Sequence, residues 1–313
     1  MGYQPDPVLG ALNTYRLNLK SHRPALAMLG WLVFRDKHSA SRSADFVTRY
    51  FEGARQRAHE LGFALDIVES DTSPAGQKHA ARVLEARGIR GVMLPPVRHG
   101  QILSHFPWNQ FSAISFGYSL AKPHLTRVTF DHVSGMTHML MALADLGYRK
   151  VGLHITTDSD ATERTQQVQI PRVLEGAYLS EHTRLFGPPP AVLYETGEDH
   201  RHQFRRWTTE HKMDAVILHG AQALQNLQAT QLRVPEDLGV ALCMRDPENS
   251  TYAGIDQNDQ GIGRQAVDAL EGLLRHNQLG EPSPSIRILV SGGWRTGNSV
   301  RRIKPNRRSP QPH

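Results

Sequence analysis

Apolar runs alternate with amphipathic segments along most of the chain, from Ala25 to about Val290. The apolar runs have the length and continuous hydrophobicity of strands that are covered on both faces. The segments between them repeat their apolar residues at three-to-four spacing, which is typical of helices. This alternation predicts an α/β fold, and the number of strands favours two doubly wound parallel-sheet lobes over one very wide sheet.

The residues that follow the strands predict where a ligand binds, because a doubly wound fold binds ligands at the carboxyl ends of its strands. The predicted strands are 25–34, 64–69, 91–94, 112–116, 150–154, 191–194, 215–218 and 239–244, and the clearest helices are 45–61, 131–146 and 261–274. Most residues after the strands are polar or small, which suits a small polar ligand: Arg35, Pro96, Arg98, Gly117, Tyr118, Thr156, His219, Arg245, Asp256 and Gln257.

The composition excludes several classes of protein. The 313 residues are enough for two domains, and no apolar stretch reaches the 18 residues that a membrane span needs. The single cysteine, Cys243, cannot form an internal disulfide, and no signal sequence follows Met1, so we expect a cytoplasmic protein. The net charge is +6, but five positive charges lie in residues 301–313, which we expect to be a disordered basic tail.

The sequence lacks convincing motifs for binding a cofactor, for binding a metal or for catalysis. The stretch Gly261–Ala266 has the spacing G-x-G-x-x-A of a dinucleotide-binding turn, but a polar stretch precedes it instead of a buried strand, so a helix start is the better interpretation. The 17 histidines and the acidic loop 158–163 lack recognised metal-ligand spacings. There is no G-x-S-x-G elbow and no Walker loop. We therefore expect no cofactor, no metal and no enzymatic activity.

The start of the chain carries an unusual segment. Pro5 and Pro7 fix an extended entry, and residues 8–12 form a short apolar stretch. A helix this short is not stable alone. It docks on another surface, folds upon binding a partner or belongs to a disordered leader.

Five motifs in order carry a resemblance to a known family. They are residues 2–7, the signature 131–152, the strand entry 234–240, residues 263–266 and the closing Ser299. Together they resemble the LacI/GalR family of bacterial transcriptional regulators, over almost the whole chain. The resemblance implies a hinge remnant over 1–23, an N-terminal lobe over 24–130 and 258–287, a C-terminal lobe over 131–257 and 288–300, and the tail over 301–313.

The resemblance also implies partners. A family member is a homodimer that binds a near-palindromic operator and changes its affinity when an effector closes the cleft. Tyr3, Pro5 and Leu12 then belong to the DNA-contacting hinge, where Leu12 matches the leucine that wedges into the minor groove. A helix-turn-helix headpiece is expected before Met1, because recognition of bases in the major groove needs one.

The effector positions match the family only in part. Gln257 matches directly, whereas Val173 replaces the sugar-binding arginine, and Gly220 and Ala221 replace the usual Asn-Asp. A standard hexose is therefore not expected, although a carbohydrate stays among the candidates for a small polar effector. The predicted effector residues are Arg35, Tyr118, Arg172, His219, Arg245, Asp246 and Gln257.

Two other functions are compatible with the same two-lobe fold. The first is a solute-binding protein for uptake of a sugar or another small polar ligand, which would need export. The second is an α/β enzyme, for which the sequence offers no acid and base that can be placed together. The regulator is the leading hypothesis.

Overall fold

The protein is described by a computed structural model over residues 27–35, 45–97, 100–156, 169–195, 201–246 and 251–303. The strands are β1 (Ala27–Arg35), β2 (Phe63–Asp71), β3 (Gly91–Leu94), β4 (Gln101–Ile102), β5 (Ser112–Phe116), β6 (Leu120–Lys122), β7 (Thr126–Phe130), β8 (Val151–Thr156), β9 (Leu193–Glu195), β10 (Ala215–His219), β11 (Gly239–Leu242), β12 (Ala253–Asp256), β13 (Arg287–Val290) and β14 (Gly293–Arg295). The helices are α1 (Asp45–Glu60), α2 (Pro74–Ala86), α3 (His132–Asp145), α4 (Gln169–Phe186), α5 (Arg201–Glu210), α6 (Ala221–Gln228) and α7 (Asp259–Arg275), with a short 3-10 helix at Trp108–Gln110. The predicted hinge residues Tyr3, Pro5 and Leu12 lie outside the described residues.

The chain divides into two compact units. Unit 1 contains residues 1–130 and 258–290, and unit 2 contains residues 131–257 and 291–313. The predicted boundary after residue 287 is three residues early, because β13 pairs with β7 along its whole length and belongs to unit 1. The prediction of a disordered tail from residue 301 is wrong for its first residues, since the backbone N–H groups of Arg301 and Ile303 donate to Tyr148 and Leu146 of unit 2.

Unit 1 contains a six-stranded parallel sheet in the order β13-β7-β5-β3-β1-β2. Helix α2 begins at Pro74, after the side chain of Ser73 caps it by accepting from the Gly76 N–H at 3.0 Å. Its apolar side packs on the sheet in a core that contains Leu32, Leu84 and Val92. A separate pair, β4 and β6, forms a small parallel ladder.

Unit 2 contains a second six-stranded sheet in the order β14-β12-β11-β10-β8-β9. Its strands are parallel except for β14, which runs antiparallel to β12 at the edge. Helix α3 begins where the side chain of Asp131 accepts from the Ser134 N–H at 3.1 Å. The two six-stranded sheets confirm the predicted α/β class, and among the described strands of these sheets only β14 departs from the all-parallel expectation.

Helices α1 and α7 approach each other closely in unit 1, and this explains the G-x-G-x-x-A spacing. A methyl group on Gly263 would collide with the backbone of Tyr50 and Ala54. A methyl group on Gly53 would collide with the backbone of Gln260. The glycines let two backbones come together, which is a packing role and agrees with the prediction of a helix rather than a cofactor turn.

Candidate functional site

Polar side chains collect at the carboxyl edge of the unit 2 sheet. Strands β8, β10, β11 and β12 are parallel neighbours, so their carboxyl ends lie at the same edge. The residues at or just after these ends are Thr156, His219, Arg245, Asp246 and Gln257. Four of them are predicted effector residues, and Thr156 is among the polar residues that the strand ends predict.

Gln257 and Arg245 are each held in position by hydrogen bonds to backbone carbonyl groups. The Gln257 Nε2 donates to the Cys243 carbonyl at 3.2 Å, across the ends of β11 and β12. The Arg245 N–H donates to the Ile255 carbonyl and its Nε to the Tyr252 carbonyl, both at 2.9 Å. These bonds orient a carboxamide and a guanidinium at the same edge of the sheet, and both groups can form hydrogen bonds with a polar ligand.

His219 lies at the end of β10 next to the end of β8. The Thr156 hydroxyl donates to the His219 carbonyl at 3.3 Å. Gly220 follows with a φ of 103°, and a side chain there would collide with Thr156, so this tight turn requires glycine. The turn therefore fixes the position of His219 at the edge of the sheet.

His132 is a buried histidine that the sequence analysis missed as part of this edge. It is the first residue of α3 and is 8% exposed. Burial lowers its pKa to about 4, and the charge of nearby His219 acts in the same direction against a small opposing effect of Asp131. His132 is therefore neutral at physiological pH.

Arg172 lies on α4 near Tyr194 of β9, the strand that pairs with β8. It is exposed on α4, and its charge partly opposes the rise in the pKa of Tyr194 that burial and the Tyr194–Glu175 hydrogen bond of 2.8 Å cause. No hydrogen bond within the described part of the chain connects Arg172 to Gln257 or Arg245.

Arg35 and Tyr118 are the predicted effector residues of unit 1. Arg35 is exposed at the end of β1 and forms a two-pronged ion pair with Glu69, at 2.6 and 3.0 Å, which raises the pKa of Arg35 and lowers the pKa of Glu69. Tyr118 follows β5, and its ring lies 5.3 Å from the guanidinium carbon of Arg127. Sequence reasoning missed Arg127, although an arginine inside a run of strand-forming residues is a visible signal.

Two further features are absent from the described residues, a metal site and a membrane-spanning helix. Over the ranges that the structure describes, no group of three or more His, Cys, Asp and Glu side chains is arranged to hold a metal ion. In the same ranges, no helix is both long and apolar enough to cross a membrane.

Comparisons with known proteins decide the family. The model of the periplasmic binding protein-like domain family matches residues 140–300. The chain belongs to this family. The match covers most of unit 2, including β8 to β12 and the polar strand ends.

Relatives place this periplasmic binding protein-like chain among the LacI-type folds. It is 20% identical over 229 residues to the HTH-type transcriptional regulator KdgR of Bacillus subtilis (strain 168), which is 71% of this chain and 68% of that protein. It aligns with the lac repressor dimer bound to operator and the anti-inducer ONPF at a TM-score of 0.62 and 16% identity, over 96% of this chain and 100% of the other. A CCPA regulator from Weissella paramesenteroides with bound glucose gives 0.61 at 17% identity, over 88% and 99%. The chain therefore has the fold of the LacI-family regulators, which confirms the resemblance.

The motifs of this periplasmic binding protein-like chain have structural roles. Gly147 follows α3 with a φ of 98°. A side chain on Gly239 would collide with the ring of the buried Tyr148. The Asp214 carboxylate accepts from the backbone N–H groups of Arg149 and Lys150 at 2.9 Å. These parts of the signature 131–152 and of the strand entry 234–240 help to build unit 2.

Proposed function

We propose that this chain is the effector-binding and dimerisation core of a LacI-type transcriptional regulator, which couples binding of a small molecule to operator affinity. The observation that carries the proposal is the polar edge of the unit 2 sheet. There the imidazole of His219, the guanidinium of Arg245 and the carboxamide of Gln257 lie at or just after the ends of neighbouring strands in a fold of the LacI type.

The effector site that we propose centres on His219, Arg245, Asp246 and Gln257 of unit 2. Side chains oriented by backbone hydrogen bonds bind a ligand at a low entropic cost, because they are already in place. The mixture of donors and acceptors suits a small ligand rich in hydroxyl, carbonyl or carboxylate groups. Arg35, Tyr118 and Arg172 remain predicted contributors.

DNA binding is proposed from the beginning of the chain. Tyr3, Pro5 and Leu12 would contact operator DNA through a hinge that forms when the protein dimerises, with Leu12 unstacking a base step. A homodimer with its two operator half-sites related by the same two-fold axis follows from this role. We also propose a cytoplasmic location, where such a regulator meets DNA.

A chimera tests the proposed function with a known operator. The helix-turn-helix headpiece of lac repressor is joined in front of Met1, and its binding to lac operator is measured by fluorescence anisotropy. We expect binding that is much tighter than that of the isolated headpiece, because a dimeric core supplies two headpieces to one operator. Sedimentation velocity measures the dimer independently.

The proposed function predicts a response to small molecules in the same chimera. A panel of sugars, sugar acids and sugar phosphates is screened for a change in operator affinity. A chimera that is monomeric, or that binds operator no better than the headpiece alone with every panel member, would contradict the proposal. Replacement of the core by an unrelated monomeric domain is the control.

A further inference from the structure

Arg127 is a buried arginine on β7, the strand next to the edge strand β13 in the unit 1 sheet. It is the second residue of β7, a strand whose five residues are all buried, and only 6% of its surface is exposed. Its register partners are Ser115 of β5 on one side and Arg287 of β13 on the other. Paired residues of neighbouring strands project from the same face of a sheet, so these three side chains share one face.

The contacts of Arg127 leave its charge without a counter-charge. Its Nη2 donates to the Leu120 carbonyl at 3.2 Å, and its guanidinium lies against the ring of Tyr118. Among the residues that the structure describes, no carboxylate pairs with Arg127, and its Nε has no hydrogen-bond partner. Burial lowers the pKa of Arg127, and the positive charge of Arg287 acts in the same direction.

A buried guanidinium in this state is destabilising. Removal of a charge from water is costly unless an opposite charge and further hydrogen bonds replace the lost hydration. One carbonyl and one aromatic face replace only part of it. An apolar side chain of similar size would fill the same space without this cost, so the arginine is best explained by a partner that the protein itself does not supply.

Ser115 adds a second donor on the same face. Its side chain is 1% exposed, and within the described ranges its hydroxyl oxygen has no hydrogen-bond partner. Buried polar atoms are nearly always hydrogen-bonded in folded proteins, so two such atoms on neighbouring strands point to a missing acceptor. An oxyanion accepts from a guanidinium and a hydroxyl at once, and the positive charge of Arg287 favours it further.

We propose that Arg127 and Ser115 bind the oxyanion of an acidic effector, a carboxylate or a phosphate, in unit 1. Tyr118 connects the pair to the predicted effector region, because it is half-buried, follows β5 at the carboxyl edge of the sheet and lies against the guanidinium. The naming of this anion as part of an effector rests on the proposed function. The anion site narrows the expected class of effector from small polar molecules in general to acidic ones.

Thermal unfolding of the whole chain tests the proposal with acetate and inorganic phosphate as probes. Each anion is compared with chloride at equal ionic strength. We expect one or both to raise the Tm of the wild-type protein by about 2–4 °C at roughly ten times Kd. The acetate and phosphate arms distinguish a carboxylate site from a phosphate site.

Two variants and a control make the test specific. Arg127→Met should abolish the anion-dependent rise and, in chloride, unfold at the same or a higher temperature than the wild type, because an uncompensated charge has been removed. Ser115→Ala should reduce the rise while leaving the Tm in chloride nearly unchanged. Arg275→Met removes an exposed arginine of α7 that pairs with Glu271, and it should keep the wild-type response.

Three outcomes would overturn the proposal. The first is an equal anion-dependent rise in Tm in the wild type and Arg127→Met. The second is no rise in Tm with either anion. The third is a large loss of Tm for Arg127→Met in chloride without any anion response, which would make Arg127 purely structural. If Arg127→Met does not fold, the response of Ser115→Ala decides. The test is separate from the chimera, since an Arg127-dependent rise together with a failed chimera would reject the regulator and retain the anion site.

Discussion

At the scale of single residues, the polar edge of unit 2 contains a histidine whose titration is coupled to folding. The pKa of His132 is about 4 in the folded protein because of burial, against about 6.5 in an unfolded chain. Between these values the unfolded state binds more protons, so the free energy of unfolding falls as the pH falls from about 6.5 to 4. Above pH 6.5 this group contributes no pH dependence.

The prediction for His132 is a change in the slope of stability against pH. His132→Asn removes the titrating ring, so we expect a shallower fall of the free energy of unfolding between pH 6.5 and 4.5, by about 1–3 kcal/mol in total. Urea unfolding at several pH values measures this. Buried His182, whose pKa is also lowered by burial, keeps a part of the slope. Identical slopes in the wild type and the variant would show that His132 is not buried as a neutral ring.

Ser299 is a residue whose family motif turns out to be a structural link. Its hydroxyl accepts from the Ala253 N–H at 2.8 Å and donates to the Val240 carbonyl at 2.6 Å, between β12 and β11. Ser299→Ala leaves both buried backbone groups without this partner, so we expect a loss of about 1–3 kcal/mol in the free energy of unfolding. Ser180→Ala, on the exposed side of α4, is the control and should stay within about 0.5 kcal/mol. Equal effects of the two substitutions would contradict the structural role.

At the scale of elements, two glycines make the close contact between α1 and α7 possible. Glycine-to-alanine substitutions are therefore predicted to lower stability inside this contact and to raise it outside. Gly53→Ala or Gly263→Ala places a methyl group against the backbone of the facing helix, so we expect each to cost about 1–3 kcal/mol or more. Gly272→Ala, in the same α7 but with open space around the new methyl group, should stabilise by up to about 1 kcal/mol. Thermal unfolding of the three variants measures the contrast. Stabilisation by all three would show that α1 and α7 are not in close contact.

The elements also show what the apolar pattern could and could not predict. Strands such as β3 and β5 have the predicted bounds, because each is a short apolar run whose burial is visible in the sequence. The sequence analysis did not separate β7, since Arg127 and two threonines interrupt its apolar character. It also left β13 unassigned to the sheet, although it included residue 290 in the repeating pattern. Pairing with β7 rather than local composition makes β13 a strand of unit 1.

At the scale of the whole molecule, effector binding and operator binding are predicted to be separable. Gln257→Ala and Arg245→Ala remove side chains at the carboxyl edge of unit 2 without removing apolar core, so each should keep dimerisation of the chimera and operator binding. We expect each to weaken the response to an active small molecule by about 10-fold or more, since a buried hydrogen bond to a ligand contributes about 1–3 kcal/mol. Titration of the operator complex with the effector measures the response. A response equal to that of the wild type in both variants would remove these residues from the site.

The amino-acid sequence by itself determined the α/β class, the helices with their glycine ends, and the polar character of the strand ends, because each of these depends on neighbours within a few residues. The tertiary structure decided which strands pair, why Gly53 and Gly263 are glycines, and that Arg127 and Ser115 meet on one face without an acceptor among the described residues. Those features arise from residues far apart in the chain. Only the folded packing, which excludes water from some groups and brings others together, gives them their chemistry.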